Sequence, residues 1–433
     1  NRIIMPNICF INPKWRICMD QEFNEFWQTS VTPNLIRNTY SGFGLSIMIL
    51  AALTPSEYKI EIIDESLHPI DFDKDYDLVA ITCCTQQAKR AYEISNRFRS
   101  KKIKTVLGGI HPTVCSDEAS MNADSVVIGE CEELWPGVLH DFEAGRLKKI
   151  YRQGELYDLR KAPLPRYDLI GFLNYKMFWI QTTRGCPHDC HFCVASNIYG
   201  RKFRSKSIEQ VVEEIKLIKS VNFNPKISFA DDNMFVNKNY SKSLLEKIIP
   251  LNIRWFAQTD ISVAEDTELL KLLKRSGCSI LFIGFESLSE EELKKTSKNN
   301  WKAKRVKYYQ EYIHKIQSMG IGIFGAFMIG FDSDDPESIS HTCDFIKESK
   351  LYAPQISILT PYPGCALREQ MASQNRILDK DWNYYTGLDV TFKPTKMTEK
   401  ELQRQLVSSL KSIYNREYLE KNIRYFKEIF KNN

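Results

Sequence analysis

Cys186, Cys190 and Cys193 stand four and three residues apart in the segment Thr183-Arg184-Gly185-Cys186-Pro187-His188-Asp189-Cys190-His191-Phe192-Cys193. Thiolates drawn from one tight loop are the usual ligands of iron-sulfur clusters. A 4Fe-4S cube has four irons and this loop supplies three ligands, so one iron would stay open, and an open metal position is what chemistry at a metal requires. Two other readings use the same residues. His188 or His191 could complete a four-ligand zinc site, although structural zinc sites favour two short knuckles joined by a longer insert, and no second knuckle lies nearby. The three could also be unrelated core cysteines, but Pro187, His188 and Asp189 give the segment the character of a polar loop.

The elements that must position this loop are those of a large protein. A chain of 433 residues exceeds one hydrophobic core, and 43% apolar with 26% charged residues is ordinary for a globular protein. The net charge of +5 is spread over both signs with no cationic block, so no nucleic-acid partner is expected. No apolar run approaches the length of a transmembrane segment, and Met5 sits in a strand-like run rather than a signal peptide, so a cytoplasmic location is expected. The twelve cysteines are scattered apart from Cys83-Cys84 and the loop, unlike a secreted disulfide framework.

Along the chain, strand-like runs at 3–11, 58–63, 78–82, 105–107 and 125–128 alternate with helical spacing at 45–54, 88–99 and 132–142. This predicts a doubly wound, Rossmann-like α/β domain over 1–150. Glycine, prolines and charges break the pattern over 151–175, which reads as a linker. Six further strands, at 178–182, 226–229, 254–258, 280–283, 322–328 and 355–359, predict a partial (β/α)6 barrel over 176–375, too few units for a closed barrel. Ser207 and Gln210 form a capping-box pattern ahead of its first long helix. A lysine-rich helical extension follows over 376–433.

A Cys-x3-Cys-x2-Cys loop directly after the first strand of a six-unit βα domain, with aromatic Phe192 before the last cysteine, resembles the radical SAM superfamily. The resemblance implies a 4Fe-4S cluster on Cys186, Cys190 and Cys193, with S-adenosylmethionine (SAM) on the open iron and cleaved to a 5'-deoxyadenosyl radical. Polar residues recur at successive strand ends, where βα barrels build their sites. By resemblance Asp231 and Asp232 stand where the family binds the methionyl amine, and Gln258, Glu286 and Phe192 belong to the same cofactor site; each taken alone would also serve as a helix cap or loop residue.

The first domain carries Thr82-Cys83-Cys84-Thr85-Gln86, Gly108-Gly109-Ile110-His111-Pro112-Thr113 and Gly129-Glu130 at its strand ends, where open α/β sheets bind ligands. Paired glycines let a bulky ligand approach the backbone. This is similar to the cobalamin-binding domain that precedes the radical SAM domain in a large subgroup of methylases. The similarity implies a corrin held by Thr85, Gln86, Gly108, Gly109, His111, Gly129 and Glu130. The Asp-x-His-x-x-Gly motif that supplies a histidine to cobalt elsewhere is absent, so cobalamin without a histidine axial ligand is expected, with His68 an exposed loop residue.

The activity implied is a cobalamin-dependent radical SAM C-methyltransferase acting on a small-molecule, lipid or peptide substrate and fed by an electron donor such as flavodoxin or ferredoxin. Cyclisation, ring contraction or carbon-carbon coupling is the alternative on the same architecture, and a non-catalytic iron-sulfur or zinc protein is the alternative outside it. The stretch from Asn375, with Trp382, Tyr384 and Tyr385, resembles the extension of relatives that include hopanoid methylases and is expected near the barrel mouth.

Overall fold

The computed structural model describes residues 5–30, 44–170, 175, 177–297 and 299–431. Its first sheet has six parallel strands, β1 (Asn7–Asn12), β2 (Lys59–Asp64), β3 (Leu78–Thr82), β4 (Lys104–Gly108), β5 (Ser125–Ile128) and β6 (Ile150–Arg152), in the order β2-β1-β3-β4-β5-β6. Strand residues alternate between two cores: Ile8, Phe10, Leu78 and Ala80 face one, and Cys9, Ile11, Val79 and Ile81 face the other. Both faces are therefore covered, which is why these strands read as nearly continuous apolar runs. The order reverses between β1 and β3, and that reversal opens a crevice at their carboxyl ends.

The expected strand 3–11 is shorter at its start, and residues 1–4 lie outside the described residues. The stretch expected as a linker begins inside the sheet: Ile150–Arg152 pairs with β5 as its sixth strand. Further on, the side chains of Tyr157, Leu159 and Tyr167 are buried, so this stretch is packed onto the domains it joins; residues 171–174 lie outside the described residues.

β7 (Met177–Ile180) opens the second sheet, and β8 (Thr183–Arg184) with β9 (Arg204–Ser205) forms a small antiparallel pair beside the cysteine loop. The remaining strands are β10 (Lys226–Phe229), β11 (Arg254–Thr259), β12 (Cys278–Glu286), β13 (Gly322–Ile329) and β14 (Ala353–Ile358), and the sheet runs β7-β10-β11-β12-β13-β14, all parallel. Winding in one direction puts the connecting helices on one side. Along β14, Pro354, Ile356 and Ile358 are buried while Ala353, Gln355 and Ser357 stay half-buried, the mark of one face under helices and the other lining an open interior. This is the expected six-unit partial barrel. The capping box forms as the sequence predicts: the Ser207 amide donates to Gln210 Oε1 (2.8 Å) and the Gln210 amide to Ser207 Oγ (3.2 Å), starting the helix Ile208–Val221.

Helices Glu399–Ile413 and Arg416–Lys431 close the chain. Ahead of them the extension reaches back to the first domain. Buried Asp389 accepts from the amides of Met19 (2.9 Å) and Asp20 (3.2 Å) and from the Thr386 hydroxyl (2.7 Å). Among the described residues no helix is long and apolar enough to cross a membrane.

Candidate functional site

The cysteine loop hangs from the carboxyl end of β7 and is fixed from below by Asp231. That carboxylate is fully buried and accepts from the Thr182 amide (2.6 Å), the Thr182 hydroxyl (2.5 Å) and the Thr183 amide (2.7 Å). Asp231 thus faces the β7 backbone rather than an open site; burial pushes its carboxyl up to about 6. Gly185 follows at φ +93°, where a Cβ would run into the Lys202 carbonyl, so only glycine fits the turn into Cys186. The three thiols are half-buried, Cys193 acts on both Cys186 and Cys190, and burial pushes Cys186 up to about 11 and Cys190 up to about 12. Among the described residues no three His, Cys, Asp or Glu side chains already converge as a metal cage. A cluster would therefore draw the loop together and displace the thiol protons as it binds.

Asp232, not Asp231, faces the loop: it is the carboxylate nearest the Gly185 amide (3.4 Å) and it acts on Cys186 and Cys193. On the opposite side Glu286 ends β12 at φ +66° in a break of the β12–β13 register and pairs with Lys302. Gly284 makes room for this pair, since a Cβ there would meet the Glu286 carboxylate and lie 3.3 Å from Lys302 Nζ. Burial alone would depress the Lys302 ammonium, but Glu286 and the Cys190 sulfur hold it charged, with a net upward shift. Asp260 accepts from Asn233 Nδ2 (2.7 Å) and the Ser262 amide (2.8 Å). His188 reaches the same carboxylate at 3.4 Å and stacks on Trp301 at 3.9 Å, so its ring is committed away from the thiols. Gln258 is half-buried at the end of β11, and its carbonyl accepts from the Met234 amide (3.0 Å). Lys302 and Trp301 carry no motif, and nothing in the sequence singles them out.

At the first sheet, Thr85 is buried and Gln86 half-buried in a short turn of helix after β3. Gly108 ends β4, and Gly109 follows at φ +102°, where a Cβ would sit 2.8 Å from Thr82 Oγ1 and 2.9 Å from the Cys83 carbonyl. Gly129 at φ +93° is likewise closed against Gln153. These glycines are needed for the packing of the loops themselves. His111 is fully buried: its Nε2 meets the Tyr92 hydroxyl at 3.0 Å and its ring stands edge-on to Trp382 at 5.0 Å. Burial, with the Arg368 charge, pushes His111 down to about 4. His68 is exposed.

Glu130, expected beside a corrin, has other partners. Arg184, directly before the cysteine loop, donates to Glu130 (2.6 Å) and Glu132 (2.6 Å), and Arg204 donates to Glu130 (2.8 Å) and to the Tyr157 carbonyl (2.7 Å). All four side chains are nearly fully buried. This ion cluster locks the β8–β9 pair of the second domain to the β5 end of the first, so the carboxyl ends of the two sheets face each other. Cys84 acts on both Tyr199 and Tyr362 across that junction. Cys365 is buried at the start of the helix Ala366–Ser373.

Beside the junction lies a cavity of about 760 Å3. Phe192 from the cysteine loop, Phe324 and Met328 of β13, Gln355 and Ser357 of β14 and Trp15 of the first domain contribute to its wall.

The radical SAM superfamily model matches residues 180–346, and the B12 binding domain model matches residues 37–139. Bacteriochlorophyllide d C-12(1)-methyltransferase of Chlorobaculum tepidum is 30% identical over 415 residues, spanning 92% of this chain and 89% of that protein. Bacteriochlorophyllide d C-8(2)-methyltransferase of the same organism is 30% identical over 86% of this chain and 85% of its own length. Among solved structures, the cobalamin-dependent S-adenosylmethionine radical enzyme OxsB with aqua-cobalamin bound aligns with 99% of this chain and 72% of that one at TM-score 0.70 and 16% identity, a likeness of fold.

Proposed function

Since the chain belongs to the cobalamin-binding radical SAM enzymes, we propose that it is a C-methyltransferase whose chemistry runs where the carboxyl ends of its two sheets meet. The observation that carries this reading is the buried Arg184–Glu130–Glu132 cluster, which fixes the cysteine loop opposite the glycine loops of the first sheet. When bound, the cluster and SAM supply a radical that takes hydrogen from a substrate carbon, and cobalamin supplies the methyl group.

The residues divide the work by their environment. Cys186, Cys190 and Cys193 ligate the cluster, and the Lys302 charge beside Cys190 and Cys193 lowers the cost of their thiolates. Asp232 receives the methionyl amine of SAM, while Asp231 positions the loop through Thr182 and Thr183. Gln258 and Glu286 line the rest of the SAM site, with Phe192 as the wall between the loop and the cavity. Thr85, Gln86, Gly108, Gly109 and Gly129 border the corrin. His111 Nε2 is turned to the Tyr92 hydroxyl, so that nitrogen would not be offered to a bound corrin. The twelve free cysteines support a reducing, cytoplasmic setting in which flavodoxin or ferredoxin supplies the electron.

The test is to reconstitute the protein with iron and sulfide, then add SAM bearing a labelled methyl group, methylcobalamin and a reductant. Formation of 5'-deoxyadenosine is expected, with the label passing to the methyl acceptor when one is present; bacteriochlorophyllide d, the substrate named for the two relatives, is the first to try. A reconstituted cluster that leaves SAM intact would sink the reading. Product formed without label would replace methyl transfer by cyclisation or coupling.

A further inference from the structure

Among the described residues, no charged side chain lines the 760 Å3 cavity. A carboxylate, phosphate or ammonium drawn into it would lose its hydration and meet no counter-ion among these residues. What enters is therefore uncharged over the part that enters.

The polar groups of the inner wall can be accounted for one by one. Ser357 Oγ donates to the Phe327 carbonyl (3.3 Å), Thr360 Oγ1 to the Ile358 carbonyl (2.9 Å), and the Tyr414 hydroxyl to the Pro354 carbonyl (2.5 Å). The Gln355 carboxamide and the Tyr362 hydroxyl have no hydrogen-bond partner among the described residues, although both line the cavity. They are left to recognise a carbonyl or hydroxyl of the occupant. Much of the remaining wall is aromatic, with Trp15 and Trp27 from the first domain and Phe324 of β13 all lining it. Flat aromatic faces suit a rigid, planar skeleton that loses little conformational freedom on binding. The volume falls in the upper half of the range of about 300–1,000 Å3 typical of ligand pockets.

We infer that this cavity takes the apolar body of the methyl acceptor: a rigid, uncharged polycyclic or macrocyclic skeleton, hydrogen-bonded by Gln355 and Tyr362, with ionised substituents left outside past the half-exposed Trp15. The inference rests on the methyltransferase reading, because Phe192 joins the cavity to the cysteine loop.

The test titrates the full-length protein with 1-pyrenemethanol and with 1-pyrenecarboxylate, read by energy transfer from tryptophan. Saturable binding of the alcohol is expected, with the carboxylate weaker by about tenfold or more. Ser357→Glu should weaken the alcohol by a similar factor. Gln355→Leu, which keeps the volume, should weaken the alcohol but not unsubstituted pyrene, so the inference stays testable if the charged variant fails to fold. Equal binding of alcohol and carboxylate, or indifference of the alcohol to both variants, would overturn it. SAM cleavage by the wild-type protein is measured alongside. Cleavage without selective dye binding sinks the substrate inference alone, and dye binding without cleavage sinks the methyltransferase reading and leaves the cavity's selectivity standing.

Discussion

Both halves of this protein are six-stranded parallel sheets whose carboxyl ends carry the candidate site, yet they are wound differently. The first reverses its order between β1 and β3, so both faces are packed and only an edge crevice is left. The second winds one way, so its inner face stays half open and contributes the wall of the cavity. Their loops differ too. The first offers glycines, threonine and glutamine, and its acids Glu130 and Glu132 are neutralised by Arg184 and Arg204 of the second. The second presents Asp232, Asp260 and Glu286 around one buried lysine. One sheet ends in a neutral surface of small residues, and the other in a charged mouth.

If the two halves bind their cofactors independently, Cys186→Ala has the largest and most one-sided effect. The loop loses one of three ligands, so iron content and SAM cleavage should fall to background while cobalamin still co-elutes with the protein on gel filtration. Loss of cobalamin together with iron would break the comparison.

Arg184→Met attacks the lock between the halves. It strands buried Glu132 and leaves Glu130 with Arg204 as its one remaining cation, a change that typically costs about 3–5 kcal/mol. Denaturant titration should show that loss, with the single transition splitting in two. The acid side carries a sign that can be checked. Burial pushes the Glu130 carboxyl up, but the Arg184 guanidinium together with the Gln153 amide and the Tyr157 backbone amide more than offsets it, so the folded value is lowered. A lowered acid contributes stability above the ordinary carboxylate range and loses it as pH falls through the folded value. That stretch of the profile should flatten in Arg184→Met.

Much of this was legible in the chain, for reasons that can be located. The six strands of the second sheet and five of the first read clearly because parallel strands packed under helices are apolar runs between helical periods. β6 did not, because three residues with exposed ends show no period. The cysteine spacing is local, so it can be read without any distant partner. Glu130 and Asp231 have partners 54 and 49 residues away, and no spacing rule connects such positions. Glu130 is therefore legible by its motif alone, and Asp231 only as one of an adjacent pair, although Asp231 bonds the Thr182 and Thr183 amides and Asp232 the Gly185 amide. Arg184 directly precedes the cysteine loop, and an arginine at that place is the local signal of the lock.

His111 sharpens the description of the first sheet as a neutral surface. Its ring stays uncharged in the fold down to about pH 4, whereas an unfolded histidine takes a proton near 6.5. Between those values the unfolded chain binds the extra proton, so stability should decline as pH falls through the window, by up to about 3 kcal/mol at its foot. His111→Gln should remove that slope. An unchanged slope would assign it to another group.

The smallest effect comes from the extension that spans both halves. Trp382 Nε1 donates to both oxygens of Glu118 (2.9 and 3.0 Å), and its ring stands edge-on to His111 with the Arg368 guanidinium 5.2 Å from its centre. Trp382→Phe keeps a ring over His111 and drops the donor. Because the Glu118 side chain is about a third exposed, water can replace the lost bond, and the expected cost is about 1 kcal/mol. The acid slope assigned to His111 should survive this change. Trp382→Ala removes the ring as well, admits water to the imidazole, and should move its titration back toward 6.5. Matching slopes in the phenylalanine and alanine variants would mean that the extension rests on the first domain without shielding it.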